Sequence, residues 1–318
     1  MSELHKFLFD GLPVRGMLVR LTDGWREILQ RRAVAGAWSA PVQQMLGEMV
    51  AASTLMQANL KFDGALVLQV QGDGPVTLAV AECHSDLRFR ATAKVDGEVP
   101  EGATLGDLVN VHGRGRCAIT LDPADRQPGQ QPYQGVVPLA LPSGESVAGV
   151  ATMLEQYMRQ SEQLETRLVL ACNDDVAAGL LIQRMPIEGV NNLQGRGENE
   201  VADEHEAFNR IAHLAVTLKA EELLTLGTED ILHRLFWEEP VRLFEPQAPR
   251  FSCSCSADRV KNMLRGLGRD EADSIIAERG EIEVGCDFCG AHYRFDAVDV
   301  GEMFSPAASQ APKGGALH

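Results

Sequence analysis

Two close pairs of cysteines near the end of the chain constrain its fold more than any other feature of the sequence. Cys253 and Cys255 are separated by one residue, and Cys286 and Cys289 are separated by two. Two such pairs, set apart by a short domain, are the usual way in which a chain brings four thiolates to one tetrahedral ion. The spacing therefore predicts that these four residues are ligands of a zinc ion, with iron in the same four-sulfur cage as the chemical alternative.

The second cysteine pair is predicted to lie at the tip of a β-hairpin. Ile282 and Val284 alternate with polar residues on the way into the pair, and Tyr293 and Phe295 alternate on the way out. Such alternation is typical of strands. Gly290, directly after the second cysteine, is expected to let backbone N–H groups turn toward the sulfurs.

Other interpretations of the four cysteines remain open at this point. A static zinc module that only holds its own fold is the commonest of them. Its nucleic-acid-binding version fits poorly, because residues 253–300 carry ten acidic and six basic side chains and so present no cationic face. A thioredoxin-like active site would need a strand, then Cys286 and Cys289, then a helix, and it would leave Cys253 and Cys255 without a role.

The net charge of the chain argues against two classes of partner. The formal charge at pH 7 is −16, which repels both nucleic acid and anionic membranes. Residues 1–6 open no apolar run of signal-peptide length, and no stretch approaches the roughly 18 apolar residues that suggest a membrane span. We therefore expect a soluble, cytoplasmic protein with neither nucleic acid nor a membrane as a partner.

The first half of the chain alternates strand-like and helix-like patterns, which predicts a mixed α/β core domain of the α+β class. Apolar residues at helical spacing predict long helices over residues 41–59 and 147–163. Alternation on both sides of residues 72–75 predicts a hairpin between Leu66 and Val80. Further strands are predicted at residues 17–21, 87–95, 116–121, 135–139, 166–172 and 177–183, with a surface loop at 122–132.

Composition and pattern divide the rest of the chain into a helical linker and a small C-terminal zinc-binding module. Residues 186–197 are predicted to be a connector, and residues 198–244 are predicted to be helical, acidic and amphipathic. The expected parts are an α+β core over 1–187, a linker over 188–248, a zinc-binding module over 249–304 and a disordered tail over 305–318.

The cysteine segments resemble the zinc centre of the heat-shock protein 33 family of redox-regulated bacterial chaperones. The matching segments are Cys253-Ser254-Cys255 and Cys286-Asp287-Phe288-Cys289-Gly290. Others resemble family segments in family order: Leu46-Gly47-Glu48-Met49, Leu60-Lys61-Phe62-Asp63-Gly64, Gln71-Gly72-Asp73-Gly74-Pro75, Tyr133-Gln134-Gly135-Val136-Val137, Ser161-Glu162-Gln163-Leu164 and Gly280-Glu281-Ile282. The likeness covers nearly the whole chain, and it departs only in the loop before Tyr133, in the connector and in the tail.

The resemblance implies an ATP-independent holdase chaperone that binds unfolding proteins under oxidative stress. In the reduced state the four cysteines would hold one zinc ion and the chaperone would be weak. Oxidation would form the disulfides Cys253–Cys255 and Cys286–Cys289, release zinc and unfold the C-terminal module and the linker. The activated protein would be a homodimer, with unfolded or misfolding client proteins as its partners.

Neither a catalytic triad nor a paired-carboxylate site nor a nucleotide motif stands out, so we do not expect an enzyme. Two rival functions remain: a zinc-stabilised interaction protein without a redox response, and a thiol oxidoreductase that uses Cys286 and Cys289. The scattered cysteines Cys117 and Cys172 are expected to be small buried residues, and Cys83 is not expected to form a nucleophilic pair with its neighbour His84.

Overall fold

The computed structural model describes residues 1–34, 36–126, 129–140, 144–185 and 198–305, with the backbone alone for 198–204. The chain divides into two compact units, Met1–Ser252 and Cys253–His318. The predicted connector at 186–197 and all but the first residue of the predicted tail lie outside the described residues. The domain boundaries proposed from the sequence remain a prediction.

The first unit contains two β-sheets and seven helices within the described residues. Its strands are β1 (Glu3–Phe9), β2 (Val14–Leu21), β3 (Gly64–Gln71), β4 (Val76–His84), β5 (Arg88–Val95), β6 (Arg116–Pro123), β7 (Tyr133–Pro138), β8 (Thr166–Cys172), β9 (Ala177–Arg184), β10 (Val241–Leu243) and β11 (Arg250–Phe251). Its helices are α1 (Asp23–Ala33), α2 (Ala40–Asn59), α3 (Leu105–Val109), α4 (Val150–Gln160), α5 (Glu198–Ala215), α6 (Ala220–Thr225) and α7 (Thr228–Phe236).

The sheets have strand orders β10-β1-β2-β9-β8 and β11-β5-β4-β3-β6-β7. Neighbouring strands are antiparallel except β11, which runs parallel to β5. Helix α2 packs against both sheets and buries most of its length in the main core. The helix must approach β8 closely, since a Cβ on Gly47 would lie 2.1 Å from the Cys172 sulfur.

The five-stranded sheet carries apolar side chains on both faces, because alternate residues of a strand point to opposite sides. On β2, Met17 and Val19 belong to the main core, whereas Val14 and Leu18 belong to a second apolar cluster. We call α5, α6 and α7 together the linker helices, and they form the other side of this second cluster. The buried residues of the cluster are Phe7, Phe9, Val14, Leu18, Ala171, Val176, Ala178, Leu180, Ile182, Phe208, Ile211, Ala212, Ala215, Leu218, Leu223, Ile231, Leu232, Leu235 and Phe236.

The second unit has a small core. Its described elements are α8 (Ala257–Leu267), α9 (Arg269–Arg279), β12 (Ile282–Gly285), β13 (His292–Phe295) and α10 (Ala297–Phe304). Its buried core residues are Val260, Leu264, Ala272, Ile282, Phe295, Val300 and Met303. A unit of this size with so little buried apolar surface is marginal unless a covalent or metal link supports it.

The structure confirms the α+β class, the long helix that ends at Asn59, the hairpin of β3 and β4, and β8. The prediction of helix up to residue 244 is wrong at its end. Residues Val241–Leu243 form β10, whose alternating apolar and charged side chains suit a strand that pairs with β1. The predicted loop at 122–132 also starts too early, since β6 continues through Pro123. Among the described helices, none is both long and apolar enough to cross a membrane.

Candidate metal centre

The four clustered cysteines are positioned by two short segments of the second unit. Cys253 and Cys255 lie just before α8, where the Ser256 side chain accepts a hydrogen bond from the Arg259 backbone N–H and so fixes the start of that helix. Cys286 and Cys289 lie in the turn between β12 and β13, as predicted for the hairpin.

The sulfur atoms of these four residues all lie within 4.8 Å of one another. The Cys253 and Cys286 sulfurs are 3.7 Å apart, and the Cys255 and Cys289 sulfurs are 3.2 Å apart. Four sulfurs bound tetrahedrally at about 2.3 Å from one zinc ion would be about 3.8 Å from one another. The donor set and its spacing therefore fit a single ion of this kind.

Backbone N–H groups of the hairpin turn point at two of the sulfurs. The N–H groups of Phe288 and Cys289 donate to the Cys286 sulfur, and the N–H group of Ala291 donates to the Cys289 sulfur. Gly290 adopts the left-handed conformation, with φ of 68°, which allows this tight turn. The expected orientation of the backbone toward the thiols is confirmed, and such donors stabilise sulfur in its anionic form.

Tyr293 adds a contact that the sequence did not reveal. Its hydroxyl donates a hydrogen bond to the Cys255 sulfur across 3.1 Å. Burial opposes ionisation of Cys255, yet hydrogen bonds from Tyr293 and from the neighbouring thiols outweigh it and lower the pKa to about 7. The strand alternation placed Tyr293 beside the pair, but only the fold shows which sulfur it reaches.

The pKa values of Cys286 and Cys289 are shifted upward, in the opposite direction to that of Cys255. Burial raises the pKa of Cys286, and burial also raises the pKa of Cys289. Four thiolates at this separation repel one another, so they can all ionise together only when a cation lies among them. The cluster is thus chemically suited to a divalent metal ion.

The scattered cysteines differ sharply from this cluster. Cys83 and Cys117 are fully buried, and burial raises the pKa of each to about 12. Cys172 is half-buried, and burial raises its pKa as well. His84 contacts the Glu82 carboxylate at 2.8 Å, so it is not paired with Cys83 as a nucleophile would require. These three thiols are poor nucleophiles and poor ligands.

The hairpin also bears on the oxidoreductase alternative. A thioredoxin-like site places its cysteine pair between a strand and a helix, whereas Cys286 and Cys289 lie between the antiparallel strands β12 and β13. His292, a weaker candidate ligand, contacts the Glu283 carboxylate at 2.9 Å and is exposed. The four cysteines are the candidate ligands that the described residues bring together.

A cavity in the first unit is a second feature that the sequence analysis missed. It has a volume of about 310 Å³ and is lined by residues of α2, α3 and the start of α4. Glu48 is one of the lining residues, and its carboxylate accepts a hydrogen bond from the Gln44 side chain at 3.0 Å. Burial raises the pKa of Glu48 from 4.5 to about 6, against the opposing effect of Gln44.

We expect Glu48→Gln to stabilise the first unit at neutral pH. Because the folded protein holds the Glu48 proton more tightly than the unfolded chain, the wild type has its full stability below pH 4.5 and loses part of it as the pH rises through about 6, where the buried carboxyl becomes charged. The variant should therefore raise the free energy of unfolding by about 1–2 kcal/mol at pH 7.5, and by little at pH 4.5. Urea unfolding at both pH values measures this, with the exposed Glu101→Gln as the matched control; an equal effect at both pH values would contradict it.

Comparison with known proteins places the chain in a family. The family model described as "Hsp33 protein" matches residues 2–296. A "33 kDa chaperonin" of Chromobacterium violaceum is 48% identical over 95% of this chain and 94% of its own length. That of Methylobacillus flagellatus is 46% identical over 96% of this chain and 94% of its own, and one from Neisseria meningitidis is 42% identical over 97% and 93%.

A solved structure shares the fold of this chain. The crystal structure of the 33 kDa chaperonin of Thermotoga maritima covers 95% of this chain and 98% of its own, with a TM-score of 0.73. The two sequences are 22% identical, so this likeness concerns the fold alone.

Proposed function

The chain belongs to the Hsp33 protein family, and from that membership we propose that it is a redox-regulated, ATP-independent holdase that binds unfolding proteins under oxidative stress. The observation that supports the proposal most directly is the group of four cysteine sulfurs within 4.8 Å in a unit whose core, over its described residues, has seven buried apolar side chains. A change at those sulfurs would act on a unit that hydrophobic packing alone barely stabilises.

We infer that Cys253, Cys255, Cys286 and Cys289 hold one zinc ion in the reduced protein. Bound zinc would supply a link among four thiolates, without redox chemistry of its own. The residues around the cluster prepare it for this role: the hairpin N–H groups and the Tyr293 hydroxyl face three of the sulfurs. Metal analysis of protein purified under reducing conditions separates zinc from the iron alternative.

The Tyr293→Phe variant should weaken zinc binding about tenfold, because hydrogen-bond donors to ligand atoms contribute roughly that much to metal affinity. The change removes only the hydroxyl that donates to Cys255 and keeps the ring against the small core. Competition with a chromophoric chelator measures the affinity. Ser254→Ala is the control, since Ser254 contacts Arg259 beside the cluster; equal affinities of Tyr293→Phe and wild type would contradict the prediction.

The thiols would act as the sensor. Each pair, Cys253 with Cys255 and Cys286 with Cys289, would lose two protons and two electrons to form a disulfide, while one peroxide is reduced to two waters. The thiolate is the attacking form, and a pKa lowered to about 7 leaves a large part of Cys255 ionised at neutral pH. A cytoplasm that keeps thiols reduced is the compartment in which such a sensor works.

Which sulfurs join decides whether oxidation loosens the unit. Two sulfur contacts run between the pairs, from Cys253 to Cys286 at 3.7 Å and from Cys255 to Cys289 at 3.2 Å. Disulfides along those contacts would crosslink distant segments and stabilise the fold, whereas disulfides within each pair close loops of a few residues and crosslink nothing distant. The proposal requires the second arrangement, and peptide mapping of the oxidised chain tests it.

The linker helices would carry the chaperone response. They cover an apolar face of the five-stranded sheet that includes Phe7, Phe9 and Ile182. Their release would expose that face together with their own apolar stripes, and surfaces of this kind bind unfolding chains and second copies. A homodimer of the oxidised form is therefore part of the proposal, and light scattering before and after oxidation measures it.

A paired measurement tests the whole proposal. Released zinc and aggregation of a chemically denatured client are followed together while peroxide or hypochlorous acid is added in steps. The proposal expects aggregation to fall as zinc appears. Zinc release without any suppression of client aggregation would instead favour a zinc-stabilised interaction protein. Catalytic turnover of a disulfide substrate would favour an oxidoreductase.

A further inference from the structure

Arg20 makes an unusual set of contacts with the linker helices. It lies on β2, on the same face as Val14 and Leu18, which is the face that the linker helices cover. Its guanidinium donates to the backbone carbonyl of Leu224 at 3.0 Å, to that of Leu223 at 3.2 Å, and to that of Leu226. One side chain of the five-stranded sheet thus binds three carbonyls at the C-terminal end of α6, beside the turn into α7.

These carbonyls need such a partner. The last four carbonyls of a helix accept no hydrogen bond from within the helix, and α6 ends at Thr225. A cation at this end also meets the negative pole of the helix dipole. Within the described part of the chain Arg20 makes no salt bridge, and its guanidinium hydrogen bonds go to these three carbonyls.

The residue opposite Arg20 holds the other side of the same turn. Glu3 on β1 is the cross-strand partner of Arg20. The Thr228 hydroxyl, at the first residue of α7, donates to the Glu3 carboxylate at 3.4 Å. Arg20 therefore binds the end of α6, and Glu3 binds the start of α7. On either side of these contacts Leu223 and Ile231 pack in the apolar cluster.

We propose that Arg20 is the positioning residue that latches the linker helices to the first unit, through the three carbonyls of Leu223, Leu224 and Leu226. The proposal rests on the proposed function, in which release of these helices activates the chaperone. Apolar contacts alone would let the linker helices slide along the sheet. A planar guanidinium that donates to three carbonyls fixes them in one docked position. Loss of Arg20 would uncouple the linker helices from the state of the cysteines.

The test compares Arg20→Ala and Arg20→Lys with wild type in the full chain, reduced and loaded with zinc. Hydrogen exchange of backbone amides in α6 and α7 should be about 10- to 100-fold faster in Arg20→Ala, because hydrogen bonds to a charged group are lost. The exchange rate of Arg20→Lys should lie between those of wild type and Arg20→Ala, since the lysine ammonium can reach fewer of the carbonyls at once. The reduced Arg20→Ala protein should suppress client aggregation at unchanged zinc content.

Arg15→Ala is the matched control. Arg15 lies on the same strand, is also half-buried and donates to Gln183, but it points to the opposite face. Wild-type exchange rates in α6 and α7 of Arg20→Ala would overturn the latch. So would faster exchange in the same helices of Arg15→Ala, or faster exchange in α2 of Arg20→Ala. Faster exchange confined to the linker helices, with no client binding by this variant or by peroxide-treated wild type, would support the latch and overturn the proposed function.

Discussion

Removal of the proposed zinc ion from the reduced chain is expected to unfold residues 253–305 and to leave the two sheets of Met1–Ser252 folded. Structural zinc contributes about 10–16 kcal/mol of apparent folding free energy in small modules. That amount exceeds what the seven buried apolar residues in the described part of this core can supply, since whole domains are stable by only about 5–15 kcal/mol. Treatment with a chelator and a reductant, followed by hydrogen exchange resolved along the chain, measures the effect.

A genetic version of the same experiment has a matched control. Cys286→Ser removes one sulfur of the cluster and should abolish protection of the amides in α8, β12 and β13. Cys172→Ser changes a half-buried thiol of the first unit and should keep that protection. Native exchange rates throughout the second unit of the chelated wild type would contradict the prediction that zinc keeps this unit folded. Failure of added zinc to restore protection to an unfolded unit would contradict it as well.

The Phe236→Ala variant is expected to release the linker helices without any oxidation. Phe236 is 2% exposed, and its ring lies 5.0 Å from that of Phe9 in an edge-to-face arrangement and 6.2 Å from that of Phe7. Truncation of a buried phenylalanine costs about 3–5 kcal/mol, and here the cost falls on the contact between α7 and the sheet. The reduced variant should bind an apolar dye and suppress client aggregation.

Trp237→Ala provides the comparison for this variant. Trp237 follows Phe236 directly but is 69% exposed, so its removal should leave dye binding unchanged. Dye binding by Phe236→Ala at the wild-type level would contradict the prediction. Loss of protection in α2 as well would show that the linker helices cannot separate from the rest of the first unit.

The candidate site could be predicted from the sequence because its residues are few and close in the chain. The spacing of Cys253, Cys255, Cys286 and Cys289 restricts them to a small set of arrangements, and alternation on both sides of the second pair predicts the hairpin. The long helix α2 was also predictable, since its apolar residues and its early proline are local signals.

The features that were missed depend on partners distant in sequence. Strand β10 follows a helical region and contains three residues, so nothing local distinguishes it, and its pairing with β1 is what makes it a strand. Tyr293 and Arg20 were likewise invisible as contacts, since each reaches an acceptor at least 38 residues away. Glu48 could be assigned a raised pKa only after the fold had buried it.

The linker helices are followed and preceded by strands that hold both of their ends, and this affects how fast the released protein becomes inactive again. Upstream, β9 lies inside the five-stranded sheet; downstream, β10 pairs with β1 at the edge of the same sheet, and β11 then pairs with β5 at the edge of the other sheet. We expect released helices to remain tethered in a closed loop, at an effective concentration on the order of millimolar relative to their docking face. Inactivation after reduction should then be a first-order process that is independent of protein concentration.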